Sequence, residues 1–231
     1  MEDIIENFQA VRERIARAAA RAGRSPEEVS LVAVTKTVEL PRIEQAVRGG
    51  ITVLGENRVQ EARRKAEAIA PELGEKVEWH LVGTLQRNKA KYCFGLFHMI
   101  HSVDSFPLAQ ELSRRGEKAG MDIEVLVQVN LAGEEQKGGA SKGEAIELLK
   151  EVSRLPHLKL RGLMTMPPFM PDPEDSRPYF QELRAIRDRA RQEGLEEVRE
   201  LSMGMTADFE QAVEEGATIV RVGTAIFGPR L

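Results

Sequence analysis

The period of the apolar positions changes along the chain. Residues 2–22 place Ile4, Ile5, Phe8, Val11, Ile15 and Ala18 at helical spacing. The segment "GRSPEEV" interrupts that pattern: Gly23 is a stop, and Ser25-Pro26 a cap and first-turn pair for a short second helix. Beyond it, short apolar runs alternate with longer amphipathic segments. The runs at 31–35, 52–55, 78–82, 99–102, 123–130, 158–164, 200–203 and 219–223 predict strands. The segments at about 41–48, 57–70, 86–92, 105–119, 141–153, 175–193 and 206–214 predict helices. Strict alternation of this kind implies parallel strands joined by crossover helices. Runs such as "LVAV", "VLVQV" and "TIVRV" are apolar on both faces, as a sheet covered on both sides requires. Eight such units in about 200 residues fit a (β/α)8 TIM barrel with an extra N-terminal helix. A doubly wound open sheet is the competing α/β architecture, and the clean count of eight favours the barrel. No linker or low-complexity stretch intervenes, so residues 1–231 read as one domain. The proline-dense "MPPFMPDPED" falls inside one βα loop.

Composition narrows the function without choosing it. Of the 231 residues 42% are hydrophobic and 30% charged, the balance of a soluble globular protein. A net charge of −4 gives no support to nucleic acid or a membrane surface as partner. No apolar run approaches the roughly 20 residues of a membrane span, and the acidic start "MEDIIENF" lacks the order of a signal peptide. The one cysteine, Cys93, allows no internal disulfide, and the four histidines show no metal-ligand spacing. A cytoplasmic protein is expected.

In a (β/α)8 barrel the chemistry sits at the C-terminal strand ends. Strand 1 ends in Thr35-Lys36-Thr37. Near an anion site a lysine there is a Schiff-base candidate; otherwise it caps the strand and reaches solvent. "SMGMTADF" sets Ser202, Gly204 and Thr206 just before a helix, and "RVGTAIFG" sets Gly223 and Thr224 after the last strand. Each glycine turn alone is weak evidence; the two together, after strands 7 and 8, point to a phosphate site. Arg221, between Val220 and Val222, needs either an acidic partner inside the barrel or a ligand. His80 reads as a satisfied core histidine or a site residue, Asn57 as a helix N-cap or a site residue, and Lys137 as a surface lysine. Trp79 and Cys93 read as packing residues.

Together, "AVTKT" (33–37), "GENRVQE" (55–61), "WHLVGTLQRNK" (79–89), "HSVDS" (101–105), "GLMTMPP" (162–168), "LSMGMTADF" (201–209) and "RVGTAIFG" (221–228) make the sequence resemble, over essentially its whole length, the pyridoxal phosphate homeostasis protein family. These are stand-alone relatives of the alanine racemase N-terminal domain. The resemblance implies a fold type III barrel binding pyridoxal 5′-phosphate. It implies that Lys36 forms the internal aldimine, that Ser202, Gly223 and Thr224 hold the phosphate, and that Arg221 faces the pyridine nitrogen. It also implies that Asn57, His80 and Met203 line the cofactor. Thr84 and Thr206 stand where a proline or small residue and a serine are usual, minor departures. An arginine at the ring nitrogen disfavours its protonation and weakens the electron sink.

Alanine racemases, as the resemblance has it, use a second base, a tyrosine of an additional β domain. The chain ends at Leu231 after the last barrel elements, and its tyrosines, Tyr92 and Tyr179, fall in or beside predicted helices. The expectation is a carrier that buffers or delivers the cofactor, acting in vitamin B6 homeostasis with little or no turnover, with apo-enzymes as partners and a monomeric state. A weak amino-acid racemase is the alternative. A barrel with an empty phosphate site, serving as an interaction module, is a third reading.

Overall fold

The computed structural model describes residues 3–134 and 138–229. The Lys137 reading therefore lies outside the described residues. The eight expected strands form: β1 (Ser30–Val34), β2 (Val53–Glu56), β3 (Glu78–Leu81), β4 (Met99–Val103), β5 (Ile123–Asn130), β6 (Leu158–Met164), β7 (Glu200–Ser202) and β8 (Ile219–Val222). Every pairing is parallel. Each strand pairs with the next, β8 pairs with β1, and β4 with β5, so the sheet closes into a barrel. The open-sheet alternative is thereby excluded. A two-residue strand, Ala140–Ser141, is added beside the end of β5.

Strand alternation splits the core in two. Val32, Val82, Met99, Leu126, Met164 and Ile219 form a small cluster inside the barrel. Most other buried apolar residues lie between the strands and the helices outside.

The helices are α1 (Ile4–Arg21), α2 (Leu40–Arg48), α3 (Val59–Ala68), α4 (Phe106–Ala119), α5 (Ala145–Ser153), α6 (Arg177–Gln192) and α7 (Phe209–Glu214), with single turns at Pro71–Gly74 and Thr224–Phe227. Asp3 caps α1, accepting from the Ile5 and Glu6 amides, and α1 buries Ile4, Val11, Ile15, Ala18 and Ala19. Ser25 and Glu28 form a capping box on the turn Pro26–Glu28. Three helices differ from expectation. The 86–92 segment is a 3₁₀ helix, Arg87–Tyr92. The 141–153 helix starts at Ala145, because Glu144 takes hydrogen bonds from the Ser141 amide and hydroxyl and holds that stretch as a turn. The 206–214 helix starts at Phe209, because Asp208 accepts from the Met205 amide.

Candidate functional site

β1 stops at Val34, and the next three residues are fixed from outside the strand. The Thr35 hydroxyl donates to Glu56 Oε1 at 2.6 Å. The Thr37 amide donates to Glu61 Oε1 at 2.8 Å, and Thr37 takes a left-handed φ of 64°. Lys65 of α3, 4% exposed, joins these pieces: its Nζ lies 2.6 Å from the Thr35 carbonyl, 2.6 Å from Glu56 and 2.8 Å from Glu61. Burial pushes the Glu56 carboxyl above the usual carboxylate range, against the hydrogen bonds from Lys65 and Thr35. Lys36 sits between two pinned neighbours. It is half-buried and has no ion-pair partner among the described residues.

Two cavities meet at Lys36. One, of 300 Å³, is bounded by Lys36, Arg42, Gly223 and Thr224. The other, of 650 Å³, is bounded by Lys36, Asn57, Arg58, Gly83 and Lys89. Asn57 is no N-cap; Arg58 holds that position for α3. The segments just past β2 and β3 run so close together that a Cβ on Gly83 would collide with the Asn57 carbonyl and lie 2.7 Å from its Cα.

A second set of site residues lies deeper. Arg221, 3% exposed, donates to the Ser202 hydroxyl at 2.6 Å and to the Thr165 carbonyl at 2.9 Å. Ser202 Oγ lies 2.8 Å from His101 Nδ1, and His101 Nε2 lies 3.0 Å from His80 Nδ1. A guanidinium only donates. Ser202 therefore accepts from Arg221, and its hydroxyl, His101 and His80 continue the contact as one hydrogen-bonded chain that ends at His80 Nε2. That atom is buried without a hydrogen-bond partner among the described residues. Burial lowers the Arg221 guanidinium to about 10, opposed by the charge of Asp208. It lowers His80 to about 3, with His98 adding to the effect, and His101 well below the ordinary imidazole range.

The sequence-predicted residues thus divide. Lys36, Asn57, Gly223 and Thr224 line the mouth. Arg221, Ser202 and His80 belong to the buried chain. Of the two readings of Arg221, an acidic partner or a ligand, the first is not met among the described residues: its guanidinium bonds a hydroxyl and a carbonyl. The Ser202 hydroxyl is committed to Arg221 and His101, so it does not face the Gly223-Thr224 cavity. Met203 lines neither cavity: it follows an inward-facing residue on β7 and packs, fully buried, in the outer core. Trp79 and Cys93 are buried packing residues.

Sequence reasoning missed His101, Glu56, Glu61 and Lys65. Lys65 left a signal, since it falls on the buried stripe of α3 with Val59 and Ala62, where lysine is costly without partners.

The model of the alanine racemase N-terminal domain matches residues 7–230. A pyridoxal phosphate homeostasis protein of Aquifex aeolicus is 46% identical over 225 residues, 97% of either chain. The structure of PipY from Synechococcus elongatus with PLP bound superposes with a TM-score of 0.85 at 34% identity, covering 98% of this chain and 100% of that one. An alanine racemase of Clostridium difficile shares the fold, with a TM-score of 0.73 at 14% identity, covering 100% of this chain and 56% of that one.

Proposed function

Because the chain belongs to the alanine racemase N-terminal domain family, beside relatives named pyridoxal phosphate homeostasis proteins, we propose that it binds pyridoxal 5′-phosphate covalently through Lys36 and serves to hold and hand on that cofactor. The observation that carries this reading is the placement of Lys36: a half-buried amine without an ion-pair partner among the described residues, on a backbone clamped by Lys65, at the junction of two cavities.

The residues fit the group. Lys36 offers an amine to the aldehyde. Gly223 and Thr224, with Arg42, offer backbone and cationic donors to a phosphate in the smaller cavity. Asn57 offers an amide on the other side of Lys36. The His80–His101–Ser202 chain holds the Arg221 fork in one orientation, so that a ring nitrogen beside Arg221 meets a cation and stays unprotonated. When bound, the cofactor supplies an aldehyde and a ring able to withdraw electrons, a pull that an unprotonated nitrogen weakens.

Low turnover is part of the proposal. Two-base chemistry needs a second proton-transfer group across from the lysine. Neither Tyr92 nor Tyr179 lines a cavity at Lys36, and Tyr92 lies on the surface under Lys91 and Arg63. The names of the relatives favour a homeostatic role over racemisation.

Borohydride trapping tests the covalent bond. Purified protein loaded with PLP should be yellow, and reduction followed by peptide mass spectrometry should place the cofactor on Lys36 and not on any lysine of Lys36→Ala. Protein that stays colourless after loading would refute the proposal. Lysine-dependent exchange of the α-proton of alanine for deuterium at enzymatic rates would instead favour the racemase. Transfer to an apo-enzyme faster than release into buffer is the outcome expected of delivery.

A further inference from the structure

Thr37 stands in a backbone conformation that its side chain disfavours. Among the described residues other than glycine, only Thr37 and His157 have a left-handed φ, 64° in each. A branched Cβ crowds the backbone there, so threonine enters this region at a cost that glycine does not bear. The Val38 amide donates to the Thr35 carbonyl at 2.9 Å and closes residues 35–38 as a tight turn. Lys36 and Thr37 are its two central residues. The positive φ falls on the second of them, where such turns place glycine. Thr37 is exposed, so burial of its side chain does not offset the cost.

The groups that hold this turn come from β2 and α3. The Thr35 carbonyl takes a second bond, from buried Lys65, at 2.6 Å. On the other side of Lys36, the Thr37 amide donates to Glu61 at 2.8 Å. Glu61 and Lys65 lie one helical turn apart on α3 and pair at 2.8 Å, so one unit grips the backbone on both sides of Lys36. Lys65 also pairs with Glu56, whose fully buried carboxyl accepts from the Thr35 hydroxyl. Burial raises the Glu61 carboxyl, but the hydrogen bonds from Lys65 and the Thr37 amide outweigh it and hold the group below the usual carboxylate range.

We infer that Glu61 and Lys65 are positioning residues for Lys36: from α3 they hold Thr37 at its positive φ and so fix Lys36 as the corner of a tight turn, where it borders both cavities. The inference rests on the reading of Lys36 as the cofactor lysine. An amine that bonds an aldehyde must meet the carbonyl carbon at a set distance and angle. A flexible four-carbon side chain does not supply that geometry by itself, and a fixed backbone beneath it narrows the search. The strain sits on the residue next to the lysine and is offset by charge-assisted bonds from a partly buried unit.

The test measures the rate at which PLP becomes trapped by borohydride on Lys36, and, in the unloaded protein, deuterium exchange of the amides at residues 37 and 38 by NMR. Glu61→Ala should slow trapping about tenfold or more, the scale of a left-handed residue's conformational cost, and speed both exchanges by a similar factor. Glu61→Gln, which keeps an acceptor for the Thr37 amide, should stay within about threefold of native. Glycine takes a positive φ freely. Glu61→Ala combined with Thr37→Gly should therefore trap within about threefold of Thr37→Gly alone, a recovery that general loosening of α3 would not give. Native trapping in Glu61→Ala, or no recovery in the double variant, would overturn the inference. If Glu61→Ala does not fold, Lys65→Met with Glu56→Gln, which leaves Glu56's place uncharged, allows the same comparison with and without Thr37→Gly, and the same outcomes decide. If native protein fails to trap PLP at Lys36, the proposed function falls. Amide exchange in the unloaded proteins then decides the turn separately: faster exchange in Glu61→Ala upholds the clamp, and unchanged exchange overturns it.

Discussion

At the residue scale, the buried polar groups make the strongest demands. Lys65 neutralises Glu56 inside the protein while holding the backbone next to Lys36. Lys65→Met should therefore cost about 3–5 kcal/mol in urea denaturation, because Glu56 is left as an unpaired buried charge. Adding Glu56→Gln should restore part of that stability without restoring the rate of trapping at Lys36; full recovery of both would show that Lys65 does not position the loop. The histidine chain predicts a pH dependence. The unfolded chain takes up protons as pH falls through about 6.5, while the folded protein keeps His80 neutral down to about 3. A depressed pKa of this kind contributes stability that is complete above pH 6.5 and is lost as pH falls toward 3. Between pH 6 and 5 the wild type should lose about 1.2 kcal/mol more than His80→Gln. Glu56, whose carboxyl is raised, acts in the opposite sense but is common to both proteins and cancels. Of this layer, Lys36, Arg221 and Gly223 were legible, since a lysine at a strand end, an arginine inside a strand and a glycine beyond one each break a local rule. His101 was not: a histidine inside a strand looks the same whether it packs or relays a hydrogen bond, and only barrel closure brings it to Ser202, a hundred residues away.

Elements were readable where their apolar period was long. All eight strands and the helices α1, α4 and α6 follow from spacing alone. Errors fall where a side chain overrides the period. Asp208 and Glu144 bend the chain before α7 and α5, and a polar, lysine-rich stretch winds as 3₁₀ rather than α after β3. The turn before α7 also depends on Gly204, which has φ 89° and whose Cβ, if present, would lie 2.5 Å from that of Ala212 and 2.9 Å from Phe209 Cα. Gly204→Ala should destabilise the protein by at least about 1–3 kcal/mol and weaken retention of PLP. The loss follows because the Gly204 carbonyl receives the Arg221 amide and the turn is tied to β8. Thermal unfolding with and without cofactor separates the two effects: a shift in Tm without a change in affinity would confine Gly204 to the fold.

At the scale of the whole molecule, barrel closure unites the site, and α1 braces it. Arg14 and Arg21 of α1 pair with Glu210 and Glu214 of α7, and Asn7 donates to the Ile226 carbonyl in the turn following Gly223. Ile15→Ala, at a site 4% exposed, should cost about 2–5 kcal/mol in chemical denaturation. It should also accelerate cofactor loss, measured by transfer of PLP to a trap in excess; an unchanged off-rate would separate the brace from the site. The hydrophobic pattern announced α1 as a helix, but nothing in it named α7 as its partner, because a stripe specifies that a face is covered and not by what. That pairing bears on biosynthesis. α1 leaves the ribosome some 190 residues ahead of the segments it packs on. Until those segments are released its apolar stripe is without its final neighbours, so over that interval the nascent chain is exposed to wrong association.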